Sequence, residues 1–236
     1  EDDFKNIVST DWLAQHLEAP DIRIIDSSWY FPQEKRNAEQ EFLECHIPGA
    51  SFFDIDKIKD NDSDLPHMLP PSAMFNSTVR KLGIGDGHKV VIYDGLGMRS
   101  AARLWWMFKV FGYSDVVVLD GGFPKWVKEN RSTTAEITEK EIRHLTIYED
   151  KSIVADRDDV LRATKLNHCS IIDARSEGRF MGTAPEPRSG LRSGSIENSI
   201  NVPYETLLNE DFTFKSKQEI IDCLLYTSDA ADDFTS

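Results

Sequence analysis

Two arginines nine residues apart offer the clearest chemistry in this sequence. Arg179 and Arg188 lie in the segment GRFMGTAPEPR, where prolines and glycines indicate a constrained loop. A guanidinium group grips a carboxylate through two parallel hydrogen bonds, so this pair is suited to holding an organic acid. Alternatively, the two arginines face solvent or pair with Glu177 or Glu186 in the same loop.

The overall charge makes these arginines more informative. The chain of 236 residues carries 41 acidic and 27 basic side chains, a formal net charge of −14. Nucleic-acid binding depends on clustered Lys and Arg, so the composition argues against a nucleic-acid partner. No apolar run approaches the roughly 18 residues that cross a bilayer, so no membrane association is expected.

The three cysteines indicate a reducing compartment. Cys45, Cys169 and Cys223 are scattered and match neither a disulfide framework nor a zinc site. Cys45 and Cys169 stand beside apolar strands or turns, where a thiol is usually a small buried hydrophobe. We expect a cytosolic or mitochondrial protein without a metal or cofactor.

The elements that must position the arginines occur twice. Residues 22–26 (IRIID) and 170–173 (SIID) are apolar runs that end in aspartate, and similar segments begin at His46 and Gly194. The copies are offset by about 148 residues, so the chain contains two versions of one unit.

Short β-branched runs alternate with amphipathic segments in the first copy, which predicts an α/β fold with a mostly parallel sheet and helices on both faces. Ser9 or Thr10 is suited to cap the first helix, and Gly83 to end the second. The pattern predicts strands at 22–26, 89–95 and 116–122, and helices at 8–17, 72–83, 99–113 and 123–130. Trp105, Trp106 and Phe108 are expected in the core.

The second copy begins with a predicted helix at 156–167, with Asp158 or Asp159 as its cap. The tail CLLYTSDAADDFTS resembles a translated adapter of sequencing libraries, so we expect it to be non-native. The expected organisation is a first domain at 1–131, a polar linker at 132–155, the N-terminal part of a second domain at 156–222, and the tail at 223–236.

A loop at a strand end distinguishes the two copies. Ligands of open α/β sheets bind where a strand ends and a helix begins, because backbone N–H groups converge there. In the first copy Asp94 opens such a loop, which has no cysteine, serine or histidine as a nucleophile. Its counterpart falls near position 242, so we expect the second domain to be incomplete and to lack the nucleophile loop.

Several segments resemble the two-domain rhodanese superfamily, most closely the 3-mercaptopyruvate and thiosulfate sulfurtransferases, from about residue 8 to 221. They are DSSWYFP, EFLECHIPGASFFDID, PHMLP, VVIYDG, RLWWMFKVFG, VVVLDGGFPKW and DARSEGRFMGTAPEPR. The resemblance implies tandem rhodanese-like domains, of which the first is catalytically silent. It also implies an enzyme that takes sulfur from 3-mercaptopyruvate onto a cysteine as a persulfide, releases pyruvate, and passes sulfur to cyanide or to a thiol such as thioredoxin or a small thiol.

The resemblance implies roles for four residues. Arg179 and Arg188 would bind the substrate; thiosulfate enzymes commonly carry an acidic residue at the position of Arg188, so thiosulfate is the alternative donor. Asp56 and His67 would be an auxiliary catalytic pair that moves protons on the substrate thiol together with a serine of the cysteine loop, a role suited to a histidine oriented by a carboxylate. His46 is expected to be structural.

Two further expectations concern activity. Without a nucleophile, the chain as written should be inactive. A catalytically dead tandem that binds an anion or a protein partner is the alternative to a sulfurtransferase.

Overall fold

The computed structural model describes residues 5–166, 169–188 and 190–232. The described residues divide into two compact units. The first comprises those up to Ile153 together with Asp211–Thr213, and the second comprises Val154–Glu210 and the residues from Phe214 onward. The expected linker is irregular chain up to Asp150, and the Tyr148 N–H donates to the Phe111 carbonyl at 3.0 Å. Most of this segment therefore runs along the first unit.

A five-stranded parallel sheet with the order β1-β5-β4-β2-β3 forms the centre of the first unit. Its strands are β1 (Ile7–Val8), β2 (Ile22–Asp26), β3 (Ser51–Phe52), β4 (Lys89–Tyr93) and β5 (Val116–Leu119). Four consecutive residues of β4, Val90 to Tyr93, are fully buried, and all of β5 is buried. Since successive side chains point to opposite faces, both faces of the sheet are covered, as expected for parallel strands.

Four of the five helices of the first unit lie close to the predicted segments, whereas the helix at Ala38–Glu44 was not predicted. The five are α1 (Thr10–Gln15), α2 (Ala38–Glu44), α3 (Ser72–Lys81), α4 (Ser100–Val110) and α5 (Gly122–Lys128). The Ser9 side chain caps α1 by accepting from the Trp12 N–H at 3.1 Å. Phe108 is in the core as expected, whereas Trp105 and Trp106 are only partly buried, and their indole N–H groups donate to the carbonyls of Val116 and Ile153.

The second unit contains a two-stranded parallel sheet, paired as β2 and β3 are in the first unit. Its parallel strands are β6 (Ile171–Asp173) and β7 (Ser199–Asn201), and its helices are α6 (Arg157–Leu166), α7 (Glu177–Phe180) and α8 (Lys217–Asp232). The predicted cap of α6 was wrong. Asp156 and Asp159 accept each other's backbone N–H, at 2.8 and 2.9 Å, so Asp156 caps the helix in a reciprocal arrangement.

Two other observations concern surface properties. Cys45 and Cys169 are exposed, so the expectation that they are buried was wrong; Cys45 ends α2 and Cys169 precedes β6, where neither is enclosed by core. In the described part of the chain, no helix is long and apolar enough to cross a membrane.

Candidate functional site

The carboxyl end of β6 carries an arginine bound to the aspartate that closes the strand. Arg175 donates from Nε to both oxygens of Asp173 at 3.0 Å and from Nη2 to Oδ2 at 2.6 Å. Its Nη2 also donates to the Gly194 carbonyl at 2.8 Å. The hydrogen bonds from Arg175 hold the pKa of Asp173 below its usual value. Arg175 therefore ties the strand end to the loop at Gly194.

A buried carboxylate joins this arginine to the first of the two predicted substrate arginines. Arg179, on α7, donates to Glu186 Oε2 from Nε at 3.1 Å and from Nη2 at 2.6 Å. The second oxygen of Glu186 accepts from Arg175 Nη1 at 2.9 Å. The Glu186 side chain is only 5% exposed, and its bond from Arg179 lowers its pKa. Of the pairings that the sequence left open, the structure shows the one with Glu186.

Arg188 lies two residues beyond Glu186 in the same proline-containing loop. The structure thus brings Arg179 into a four-residue cluster with Asp173, Arg175 and Glu186, whereas substrate binding by Arg179 and Arg188 stays a prediction. Sequence reasoning did not single out Arg175. Its signal was its position two residues after the aspartate that ends a predicted strand, where ligand sites of parallel sheets gather.

An open cavity of about 740 Å³ adjoins this cluster. Its lining includes Asp173 and Arg175 from the end of β6, and residues 192–197 from the loop before β7. Arg192 and Glu197 also line it, so its lining carries two cationic and two anionic side chains. Among the described residues, no group of His, Cys, Asp and Glu side chains is arranged to hold a metal ion.

The predicted Asp56–His67 pair forms in the first unit. His67 Nε2 lies 2.5 Å from Asp56 Oδ1, and the Trp29 indole N–H donates to Asp56 Oδ2 at 3.0 Å. His67 adopts the left-handed backbone region at φ 57°, and Arg103 Nη2 donates to its carbonyl. The Asp56 side chain is 61% exposed and that of His67 17%, so a carboxylate at the surface orients a largely covered imidazole.

In the loop after β4, the backbone N–H groups donate to the side chain of Asp94, which belongs to the same loop. Asp94 Oδ1 accepts from the N–H groups of Leu96 and Gly97, both at 2.8 Å, and Oδ2 accepts from those of Arg99 at 2.7 Å and Ala101 at 2.8 Å. These donors lie at the start of α4, where backbone N–H groups are suited to bind an anion. Asp94 occupies all four, so these backbone donors are not available to an anionic ligand.

Comparison with known proteins covers both units. A profile of the rhodanese-like domain matches residues 9–129. The chain is 40% identical over 223 residues to 3-mercaptopyruvate sulfurtransferase of Rattus norvegicus, covering 92% of this chain and 75% of that protein. It is 42% identical over 224 residues to thiosulfate sulfurtransferase of Bos taurus, again covering 92% and 75%. The crystal structure of SseA from Escherichia coli, one of the 3-mercaptopyruvate sulfotransferases, matches with a TM-score of 0.86 at 36% identity over 95% of this chain and 84% of that chain.

Proposed function

The chain belongs to the rhodanese-like sulfurtransferases, and on that premise we propose that it is built to move sulfur from 3-mercaptopyruvate to a thiol or cyanide with release of pyruvate. The observation that carries the proposal is the arginine-containing loop after β6. Within the part of the chain that the structure describes, Arg179 is hydrogen-bonded to Glu186 through Nε and Nη2 only, and its side chain is 28% exposed. A guanidinium held in this way can offer its remaining N–H groups to the carboxylate of a 2-oxo acid.

In the proposed reaction, Arg179 and Arg188 bind the substrate carboxylate and its neighbouring carbonyl oxygen. A cysteine thiolate attacks the substrate sulfur, and the carbon–sulfur bond breaks with its electron pair leaving on the enolate of pyruvate, which takes up a proton to give pyruvate. The resulting persulfide passes its outer sulfur to the acceptor. The Asp56–His67 pair would manage the proton of the substrate thiol.

None of the cysteines in this chain stands where that nucleophile belongs. Cys45 ends α2, Cys169 precedes β6 and Cys223 lies within α8, whereas the loop of interest follows a strand and precedes a helix, as Asp94 does in the first unit. We therefore propose that this 236-residue polypeptide does not by itself turn over 3-mercaptopyruvate.

Thiosulfate is the second candidate donor, favoured by the 42% identity to the bovine thiosulfate sulfurtransferase. Arg188 opposes it, because the resemblance places an acidic residue there in many thiosulfate enzymes. For the acceptor we propose thioredoxin or a small thiol. The exposed, unpaired thiols of Cys45 and Cys169 support a cytosolic or mitochondrial location, where thiols stay reduced.

Binding of the product tests the substrate assignment. We would titrate pyruvate and thiosulfate separately into the full chain and into Arg179→Gln and Arg188→Gln, with isothermal titration calorimetry. Each substitution should weaken pyruvate binding about tenfold, because a charge-assisted hydrogen bond is lost. Arg162→Gln is the matched control, since Arg162 pairs with Asp159 on the exposed surface of α6.

Three results would count against the proposal. Unchanged pyruvate affinity in both variants would exclude the two arginines as the binding groups, and tighter binding of thiosulfate than of pyruvate would favour the second donor. Pyruvate release from 3-mercaptopyruvate by the unaltered chain, abolished by alkylating its cysteines, would refute the proposed inactivity.

A further inference from the structure

We propose that Glu186 is a positioning residue that fixes the Arg179 guanidinium with its Nη1 edge turned outward to receive the carboxylate of the substrate. This inference rests on the proposed function, because it explains how that function's substrate arginine is held. It concerns a residue that touches the arginine rather than the substrate.

Glu186 is suited to hold other groups in place because it is itself held firmly. It lies between Pro185 and Pro187, and prolines restrict both their own backbone and that of the preceding residue. Its side chain is 5% exposed, and each of its two oxygens accepts from a different guanidinium. A carboxylate with so few conformations open to it can fix the orientation of its partners.

The hydrogen bonds assign different tasks to the two arginines. Arg175 uses all three nitrogens, because Nε and Nη2 donate to Asp173 and Nη1 donates to Glu186. Arg179 uses only Nε and Nη2, both toward Glu186 Oε2. Within the described residues, the structure gives Arg179 Nη1 no hydrogen bond. Arg175 therefore has a structural role, since it links Asp173 to Glu186. Arg179 is the arginine with N–H donors available for a ligand.

The charges of the cluster support a positioning role. Asp173 and Glu186 are two anions placed against Arg175 and Arg179, two cations, so the guanidiniums approach one carboxylate without net repulsion. A substrate carboxylate at the outer edge of Arg179 would add a bidentate contact to a guanidinium whose orientation is already fixed. Pre-orientation reduces the side-chain entropy lost on binding.

The competing interpretation is that Glu186 occupies Arg179 in place of the substrate. The two interpretations predict opposite changes in the affinity for a carboxylate when Glu186 is replaced. If Glu186 positions Arg179, removing its charge weakens the binding of a planar carboxylate; if Glu186 competes, removing it strengthens that binding.

The test combines pyruvate titration with the side-chain NMR spectrum of the arginines in the full, isotopically labelled chain. Glu186→Gln keeps an oxygen acceptor and removes the charge. Glu177→Gln is the matched control, since Glu177 is an exposed carboxylate on the adjacent helix α7. Inorganic sulfate serves as a second probe, because its binding depends less on the orientation of one planar group.

We expect Glu186→Gln to weaken pyruvate binding about tenfold and to leave sulfate binding unchanged. In the unaltered chain the two Nη groups of Arg179 should give separate resonances because rotation of the guanidinium is hindered. They should merge in Glu186→Gln, and Glu177→Gln should change neither measurement.

Two outcomes would overturn the inference: unchanged pyruvate affinity and unchanged Arg179 resonances in Glu186→Gln, or tighter pyruvate binding in that variant. If Glu186→Gln fails to fold, Glu186→Asp decides, because it keeps the charge but shortens the reach to Arg179. If pyruvate binding proves independent of Arg179, the proposed function fails, and the Arg179 resonances still report whether Glu186 holds the guanidinium.

Discussion

At the scale of single residues, two carboxylates at the ends of neighbouring strands have contrasting surroundings. Asp94, after β4, is 1% exposed and accepts four backbone N–H groups. Asp26, at the end of β2, is 5% exposed and accepts from the backbone N–H of Ser28 at 2.8 Å and from its hydroxyl at 2.5 Å. Burial raises the pKa of Asp26 to about 6, and the nearby Asp94 adds to this.

A pH dependence of stability follows from Asp26. Because its pKa is raised in the folded state, the unfolded chain loses this proton first as the pH rises. The free energy of unfolding should therefore fall between about pH 4 and 6, by on the order of 3 kcal/mol from this group. Asp26→Asn should remove this decrease, measured as the difference from the unaltered chain in urea unfolding at pH 4 to 7.

The control for Asp26→Asn is Asp62→Asn, since Asp62 is an exposed carboxylate in the same unit. The decrease predicted for Asp26 is taken as the pH dependence of the Asp26→Asn difference beyond that of Asp62→Asn. A difference for Asp26→Asn that varies with pH no more than that of Asp62→Asn would contradict the raised pKa.

At the scale of elements, the end of α3 depends both on a glycine in the local sequence and on a contact with a residue far along the chain. The Gly83 N–H donates to the Arg80 carbonyl and the Ile84 N–H to that of Val79, both at 3.1 Å, which is the Schellman arrangement of a helix end. Gly83 has φ 79°, and a Cβ there would lie 2.8 Å from Lys140 Cβ. The glycine thus ends the helix and makes room for the chain segment that follows the first sheet.

Gly83 is required both for its left-handed backbone conformation and for the space beside Lys140. A pair of substitutions separates these two requirements. Gly87 has φ 86°, and no atom lies within 4 Å of the position that an added Cβ would take, so Gly87→Ala carries the backbone strain alone. We expect Gly87→Ala to cost about 1 kcal/mol and Gly83→Ala about 2–3 kcal/mol, because the second also displaces Lys140. Chemical denaturation of the first unit measures both; equal losses would contradict the packing of Lys140 against Gly83.

At the scale of the whole molecule, the buried apolar side chains are unevenly shared. Nearly all of them belong to the first unit, and Val202 is the one buried apolar side chain among the described residues of the second. Ile172, on the central part of β6, is 55% exposed, whereas its counterpart in the first unit, Ile24 on β2, is 4% exposed. Local opening is easiest where few apolar contacts must be broken.

We therefore expect the two units to differ in resistance to proteolysis. Brief treatment of the full chain with chymotrypsin should cut first after about residue 160, and hydrogen exchange at Ile171–Asp173 should be faster than at Val90–Tyr93. Mass spectrometry of the fragments and of deuterium uptake measures both. Equal protection of the two segments would contradict the expected difference.

The sequence by itself determined the features that depend on short-range chemistry. Apolar runs and turn residues place the strands β2, β4 and β5 near their observed positions, and likewise the helices α1, α3, α4, α5 and α6, and the repeated segments indicate two related units. These signals are local, because a strand or a helix end is favoured by the residues within it. The two-residue strand β1 was missed, since it is too short for a pattern and exists only through pairing with β5.

Only the tertiary structure decided which side chains meet. It paired Arg179 with Glu186 rather than with Glu177, connected both to Arg175, and aimed four backbone N–H groups at Asp94. It also left Cys45 exposed. The physical reason is that hydrogen bonds and burial depend on distances across the fold, which residue types and spacing along the chain do not specify.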